Sequence, residues 1–408
     1  MGRSRTDVSL LFFTRILRLF AYGFLSVVLA LYLAQVGFSP QAIGLLLTLT
    51  LVGDAAISLW ITTSADRVGR RTMLVVGAAL MVLAGGVFLL TRNYALLLLA
   101  AIVGVISPSG NEVGPFLSVE QAALSQLLPD QRRTHMLAWY SVAGSFATAT
   151  GALTSGWLAQ SLQGSGFSPL NSYRVVLLGY VLSGLVLLSV FLRLSPSVET
   201  NVTGASGTRT LGLHRSKNVV MKLSALFALD AFAGGLVLQS LVVYWFHVKF
   251  GVGEGVLGSV FFGANMLAGI SALLAARIAR RIGLVRTMVF THVPSNVLLG
   301  LVPFMPTLTL AVGMLLLRFS ISQMDVPTRQ SYTMAVVAPD ERSAASGITT
   351  VARSAGGSLS PALAGVLLAN PMLLGVPFVA AGGLKIIYDL LLYRGFRAIK
   401  PPEEQTST

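Results

Sequence analysis

Twelve ionisable side chains fall inside stretches that are otherwise almost wholly apolar: Arg15, Arg18, Asp54, Glu112, Glu120, Asp230, Arg318, Asp325, Arg329, Arg353, Lys385 and Asp389. A charge near the middle of a membrane helix costs about 2.5–3.5 kcal/mol on insertion scales, so it should be paired or face water. Carboxylates in that setting can exchange protons, and arginines can bind an anion or balance the carboxylates. Other chemistries lack their residues. There is no cysteine, so disulfides, thiol catalysis and thiolate metal sites are excluded. The four histidines cluster nowhere and show no metal-ligand spacing. No phosphate-binding loop, ATP motif or nucleophile–base constellation is present, so no cofactor and no metal is expected, and energy would come from an ion gradient.

These charges are conspicuous because the chain has so few. Of 408 residues, 54% are hydrophobic and 11% charged, with mean hydropathy +0.77. A soluble domain carries charge on about a quarter of its residues. The composition therefore excludes an ordinary soluble enzyme, a disordered chain and a disulfide scaffold. Apolar runs of ~20 residues, each enough for one bilayer-spanning helix, recur along the sequence. Twelve spans are expected: 10–35, 41–63, 72–91, 94–118, 135–160, 173–194, 219–247, 254–276, 287–304, 307–333, 344–369 and 375–394. The runs are too long and too apolar for barrel strands. The first follows MGRSRTD directly, with no small-residue cleavage site, and reads as a span rather than a removed leader.

The net charge of +14 and pI near 10.6 would suggest nucleic acid in a soluble chain. Here they follow topology. With the N-terminus in the cytoplasm, 20 Lys and Arg fall on the cytoplasmic side and three (Arg92, Arg174, Lys249) on the other. That is a strong positive-inside bias, and it places both termini in the cytoplasm and the chain in a cell (inner or plasma) membrane. The longest polar stretch, 195–218, is rich in Ser, Thr, Gly and Asn, as in a flexible linker. Its glycosylation triplet at Asn201 would lie on the wrong side of the membrane. The linker divides the chain into bundles 1–194 and 219–408, each of six helices: an all-α membrane protein with twelve transmembrane helices in two pseudo-symmetric bundles.

The halves repeat. Pro129-Asp130-Gln131-Arg132-Arg133 falls on Pro339-Asp340-Glu341-Arg342-Ser343 at an offset of 210, and Phe20-Ala21-Tyr22-Gly23 on Phe232-Ala233-Gly234-Gly235 at 212. Arg67-Val68-Gly69 falls on Arg281-Ile282-Gly283 at 214. Parallel six-helix repeats are one known transporter layout, with the substrate site near the membrane midplane.

The segment Thr62-Thr63-Ser64-Ala65-Asp66-Arg67-Val68-Gly69-Arg70-Arg71 resembles the loop motif G-x-x-x-D-R-x-G-R-R of the major facilitator superfamily, at the family's position between spans two and three. Gly37 to Gly44 resembles the family's first external loop, and the Pro-x-x-x-Arg loops at Arg132 and Arg342 are also family-like. The resemblance covers the whole chain and implies alternating access by rocking of two bundles. There are departures. Thr62 replaces the motif's glycine, and Arg280 takes the aspartate position in the second half. The antiporter pattern G-x-x-x-G-P-x-x-G-G survives only as Ala147, Gly151, Ala152, Ser155 and Gly156, with a closer echo from Gly356 to Gly365. The motif is expected to act as a conformational latch: Asp66 facing a helix N-terminus or an arginine, Arg67, Arg70 and Arg71 reaching nearby acids, and Gly69 making the turn.

By the same resemblance spans one, four, seven and ten line the cavity, and eight of the twelve buried charges lie on them. At 1.5 Å rise per residue, Arg18, Glu112, Asp230 and Asp325 would lie roughly 9–17 Å deep. One inner cluster is expected, with Arg329 four residues from Asp325 on the same helix face. Asp230 and Glu112 are the first proton-coupling candidates, with Asp325 more occupied by Arg329. Lys385 and Asp389, also four apart, are expected to pair. Span four carries two prolines and two glycines between Pro108 and Pro115, and span ten carries Pro327, so both should be kinked or unwound. Tyr22, Asn111, Pro115, Gln239 and Gln323 are substrate-cavity candidates. The expectation is a monomeric, proton-coupled secondary transporter exporting a small organic solute, with no nucleic-acid partner. The rivals are uptake of an organic anion or metabolite held by Arg18 and Arg329, and a non-transporting sensor, which would usually carry an added soluble domain.

Overall fold

The computed structural model describes residues 2–112, 114, 116–128, 130–199, 214–338 and 341–398, with side chains described for these except at 2–5, 66, 130–134 and 343. Among them the long elements are all α-helices. The first six spans are α1 (Gly2–Ser26) with α2 (Leu29–Val36), α3 (Pro40–Val68), α4 (Arg70–Leu90), α5 (Tyr94–Val103) with α6 (Phe116–Leu127), α7 (Asp130–Gly164) and α8 (Pro169–Phe191). The second six are α9 (Lys217–Gly235) with α10 (Gln239–Phe250), α11 (Glu254–Ile282), α12 (Leu284–Leu301), α13 (Leu308–Phe319) with α14 (Asp325–Val336), α15 (Arg342–Leu368) and α16 (Val376–Phe396). Eight of these helical stretches are long and apolar enough to cross a membrane by length and composition. The other spans are the broken pairs α5–α6 and α13–α14 and the more polar α7 and α15, so the fold is twelve membrane helices in two pseudo-symmetric bundles. Large apolar side chains such as Leu59, Trp60, Leu90, Leu273, Leu359 and Leu390 stay exposed on the helix flanks, as a lipid-facing surface requires.

Local sequence explains where helices start. Ser39 accepts a hydrogen bond from the Ala42 amide with Pro40 in the first turn of α3, and Ser168 does the same for Asn171 ahead of Pro169. The Asn93 side chain accepts from the amides of Ala95 and Leu96 to start α5. Gly37 ends α2 in the left-handed region at φ 105°, where a β-carbon is disfavoured.

Contacts group the chain into two compact units, residues 1–205 with 239–262, and residues 206–238 with 263–408. Within the first unit, segment 239–262 is tied down by polar contacts. Gln239 Nε2 donates to Ser26 Oγ at 2.7 Å, and Ser240 Oγ donates to the carbonyl of Pro108 at 2.6 Å. Trp157 Nε1 donates to Ser259 Oγ at 3.0 Å, and Tyr173 and Gln163 both donate to Glu254.

Each unit is built on a helix crossing made possible by glycine. A β-carbon on Gly23 would lie 2.1 Å from the carbonyl oxygen of Thr148, and one on Gly151 would lie 2.1 Å from that of Phe20, so α1 and α7 meet backbone to backbone. In the second unit, a β-carbon on Gly356 would lie 2.3 Å from the carbonyl oxygen of Ala228, which is the same meeting between α9 and α15. Small residues permit such approach where helices associate in lipid without a hydrophobic driving force. The small-residue pattern of span five is thus accounted for by packing. Gly151→Val should lower the thermal unfolding midpoint of the purified protein sharply or prevent its recovery, since overpacking costs about 1–3 kcal/mol or more. Gly86→Ala should leave it unchanged, because nothing lies within 4 Å of a β-carbon there; equal effects would contradict this packing.

Candidate functional site

Most of the buried charges form two networks, one in each unit; Asp54, Arg318 and Arg353 make no ion pair among the described residues. In the first, α1 supplies the bases and span four the acids. Arg18 is completely buried, with Nη1 and Nη2 on Glu120 at 2.8 and 2.7 Å and Nε on Glu112 at 3.0 Å. Arg15 pairs with Glu112. Glu120, also completely buried, accepts further hydrogen bonds from Thr14 and Tyr140. The Arg18 guanidinium lies 4.5 Å from the centre of the Phe116 ring. Two acids and two bases cancel, which makes the burial tolerable.

In the second unit the polarity is reversed. Asp230 on α9 accepts from Lys385 of α16 at 2.5 Å and from Arg329 of α14 at 3.1 Å, and Arg329 also holds Asp325 at 3.0 Å. Arg329 lies 5.4 Å from the centre of the Phe227 ring. Beside this group, His292 Nδ1 of α12 bonds Asp389 at 2.9 Å, and Asn296 donates to the same carboxylate at 3.2 Å.

The structure therefore brings Arg18 together with Glu112 in the first unit, and Asp230 with Asp325 and Arg329 in the second. The expected Lys385–Asp389 pair does not form. Asp230 and Asp325 would otherwise share one arginine, and Lys385 supplies the second cation they need. Asp325 is also less committed than Asp230, which carries two cations. Arg15 and Glu120 were visible as buried charges without assigned roles, whereas Lys385 and Asp389 were expected to hold each other. His292 and Asn296 gave no local signal, because their partner Asp389 is over 90 residues away in sequence.

Helix breaks position the acids. In span four the described residues 104–112 and 114 lie outside the helices, and their loosened carbonyls find partners: Val105 with Tyr180 (2.5 Å), Pro108 with Ser240, Gly110 with Thr148 (3.3 Å) and Asn111 with Ser107 (2.7 Å). This is the condition under which irregular backbone is tolerated at membrane depth. Glu112 lies in the unwound stretch and is the least buried acid of the two networks, at 15% side-chain exposure. Span ten breaks between α13 and α14, where the Gln323 amide donates to Ser271 and Pro327 falls in the first turn of α14. Among the cavity candidates, Tyr22 is completely buried, Gln239 is buried on Ser26, Asn111 is exposed and Gln323 half-buried. Pro115 lies outside the described residues.

The loop motif holds the start of the linker. The Glu199 carboxylate accepts from the amides of Arg70 (2.7 Å) and Arg71 (3.1 Å), the first residues of α4, next to Gly69 at φ 112°. The Arg70 side chain donates to Gln126 at 2.9 Å, Arg71 donates to the carbonyl of Leu192, and Asp7 accepts from the Ser195 amide at 3.1 Å. Thr62, in the place of the motif's glycine, shares a hydrogen bond with Ser118 of α6. Arg67 is exposed. The side chain of Asp66 lies outside the described residues. In the second unit Glu341 takes the other end of the linker, accepting from the amides of His214, Arg215 (2.8 Å) and Ser216 (2.8 Å) at the start of α9.

The Major Facilitator Superfamily model matches residues 11–361. The chain belongs to the major facilitator superfamily. It is a membrane transporter by that membership. The uncharacterized membrane protein YJR124C of Saccharomyces cerevisiae is 31% identical over 417 residues, covering 95% of this chain and 93% of that protein. Among solved structures, a bacterial homolog of the human lysosomal transporter Spinster, inward-facing and occupied, superposes with TM-score 0.75 at 16% identity over 97% of both chains. A single-residue mutant of the nucleoside transporter NupG gives 0.76 at 12% identity, covering 96% of this chain and 100% of that one. A D-xylose–proton symporter gives 0.73 at 16% identity, covering 95% and 97%. At these identities the likeness concerns the fold.

The Glu341 clasp has a defined pH response. Burial alone would raise its carboxyl, but the His214 amide, the Ser216 hydroxyl and the Arg215 and Ser216 amides outweigh this and bring it from 4.5 to about 2. A depressed carboxyl stabilises the folded form fully above its unfolded value, and that stabilisation is lost as pH falls through the folded one. Amide exchange at 214–216, corrected for intrinsic rates, should stay slow down to pH near 4.5 and quicken towards pH 2. Glu341→Gln should exchange fast throughout; protection that persists in the variant would contradict the clasp.

Proposed function

We propose that this transporter works by alternating access, couples movement of its substrate to protons and exports a small organic solute, with Glu112 as the coupling carboxylate. The observation that carries this is the asymmetry within the first network. Glu120 is sealed and anchored by Arg18, Thr14 and Tyr140, whereas Glu112 sits on an unwound stretch with part of its side chain open. A proton on Glu112 releases Arg15 and one edge of Arg18 while the Arg18–Glu120 pair stays intact. One carboxylate can then alternate between proton and arginine without unpairing the rest, which is a two-state element biased by protonation. Asp230, with two cations, anchors the second network, and Asp325 is its exchangeable acid.

Organic-anion uptake through Arg18 and Arg329 has less support, because both guanidiniums are committed to carboxylates. The positive-inside count supports cytoplasmic termini in a cell membrane, and the motif's grip on the linker supports a latch that acts through Glu199 as well as Asp66.

A thermal-shift screen of organic cations, sugars and nucleosides would supply a transported solute. In vesicles carrying the purified protein, an imposed pH gradient should then drive flux of that solute against the proton flow. Glu112→Gln should abolish the gradient-driven component while retaining downhill exchange, and Asp230→Asn should impair both. Wild-type coupling in Glu112→Gln would overturn the assignment.

A further inference from the structure

Two arginines in the spans of the second unit, Arg318 of α13 and Arg353 of α15, have no acidic partner among the described residues. Arg318 Nε is shut off from solvent and has no hydrogen-bond partner, and its guanidinium lies 4.8 Å from the centre of the Phe319 ring. Both arginines lie within the field of Asp230 and Asp325. Those acids are already taken, Asp230 by Lys385 and Arg329 and Asp325 by Arg329. Asp389 is held by His292 and Asn296. Arg353 also faces Arg329, a like charge. The spans of this unit thus hold four bases (Arg318, Arg329, Arg353, Lys385) against three acids (Asp230, Asp325, Asp389).

The helix faces show where this surplus points. Arg353 shares a stripe of α15 with Ala345, Thr349, Gly356 and Ser360, the stripe that meets α9, whereas Val351, Leu359 and Val366 lie exposed on the opposite flank. Arg318 shares its face of α13 with buried Ala311 and Leu315, and the exposed Leu310 and Leu317 lie to one side. Both arginines are half-buried, whereas Arg18 and Arg329 are sealed. An unpaired charge inside a span is costly and marks a functional site. Guanidiniums take carboxylate and phosphate groups through paired N–H donors. We propose that Arg318 and Arg353 form an anion subsite, and that the exported solute carries a carboxylate or phosphate group that fills it. Arg18 and Arg329 stay on their own carboxylates. Because Arg353 faces Arg329, the bound group competes with Asp325 for Arg329 and so links loading to the exchangeable acid of this unit. The subsite deepens the transport reading and rests on it for its role, but anion binding can be measured without any transport.

The test uses the full chain in lipid nanodiscs with no gradient. Thermal unfolding is followed at equal ionic strength with benzoate and succinate as carboxylates, glycerol phosphate as a phosphate, and benzamide and glycerol as neutral counterparts. The anions should stabilise the wild type and the neutral compounds should not. Stabilisation by either class of anion supports the subsite, and the class that acts identifies the group. Arg318→Gln and Arg353→Gln should each need about tenfold more anion for the same shift, as the loss of a charged hydrogen bond implies. Arg318→Lys and Arg353→Lys, which keep the charge, should need less than the Gln variants. Without anion, both Gln variants should unfold at or above the wild-type temperature, because each loses an unpaired charge. Arg329→Gln, which strips Asp325 of its cation, should unfold earlier. Anions that do nothing, or that act on either Gln variant as on the wild type, overturn the subsite. So does a Gln variant less stable than the wild type without anion, which would make its arginine part of the scaffold. Wild-type coupling in Glu112→Gln with anion binding intact would overturn the coupling reading alone.

Discussion

A charge in hydrocarbon must find an opposite charge, and both units are organised around meeting that demand. In the first unit two arginines on α1 face two glutamates from span four; in the second an aspartate on α9 and one on α14 face an arginine and a lysine. Each group is neutral in sum. Arg18 and Asp230 occupy corresponding places in the repeat, yet their signs are opposite, and their partners Glu120 and Arg329 are reversed to match. What the repeat preserves is the pairing between the first and fourth helices of each half, down to an aromatic ring (Phe116 or Phe227) under the guanidinium.

Pairing at such distances needs helices that come close and helices that bend. Close approach is supplied by Gly23, Gly151 and Gly356, where two backbones touch and leave no room for a β-carbon. Bending is supplied by the breaks at Gly104–Gly114 and Ser320–Met324, whose free carbonyls and amides are taken up by Tyr180, Ser240, Thr148 and Ser271. The same breaks leave Glu112 partly open while Glu120 is sealed. Two acids, one sealed and one partly open, thus share one arginine.

Much of this was legible in the residues. Run length, the arginine bias and the loop motif point to twelve helices, two repeats and the family, because hydrophobic length and loop charge are local properties. Nine of the twelve charges marked as costly enter these ion pairs; Asp54, Arg318 and Arg353 make none among the described residues. Partner choice was less legible, because it depends on which faces meet. Spacing favoured Lys385 with Asp389, yet Lys385 is drawn to Asp230, whose demand is set from α9 and α14. His292 gave no signal because its carboxylate lies on a different helix. The motif arginines Arg70 and Arg71 were expected to reach acids by their side chains, whereas it is their amides that hold Glu199, a contact that only backbone geometry reveals.

The central claim, that a buried pair between the first and fourth helices holds the first unit together, is tested most directly by a double-mutant cycle on Arg18 and Glu120, read by thermal unfolding in nanodiscs. Arg18→Met and Glu120→Leu should each be strongly destabilising, by about 3–5 kcal/mol, because each leaves its partner buried and unpaired. The double variant should recover most of that loss, with Arg15 and Glu112 still paired. A double variant no more stable than the worse single one would contradict the account.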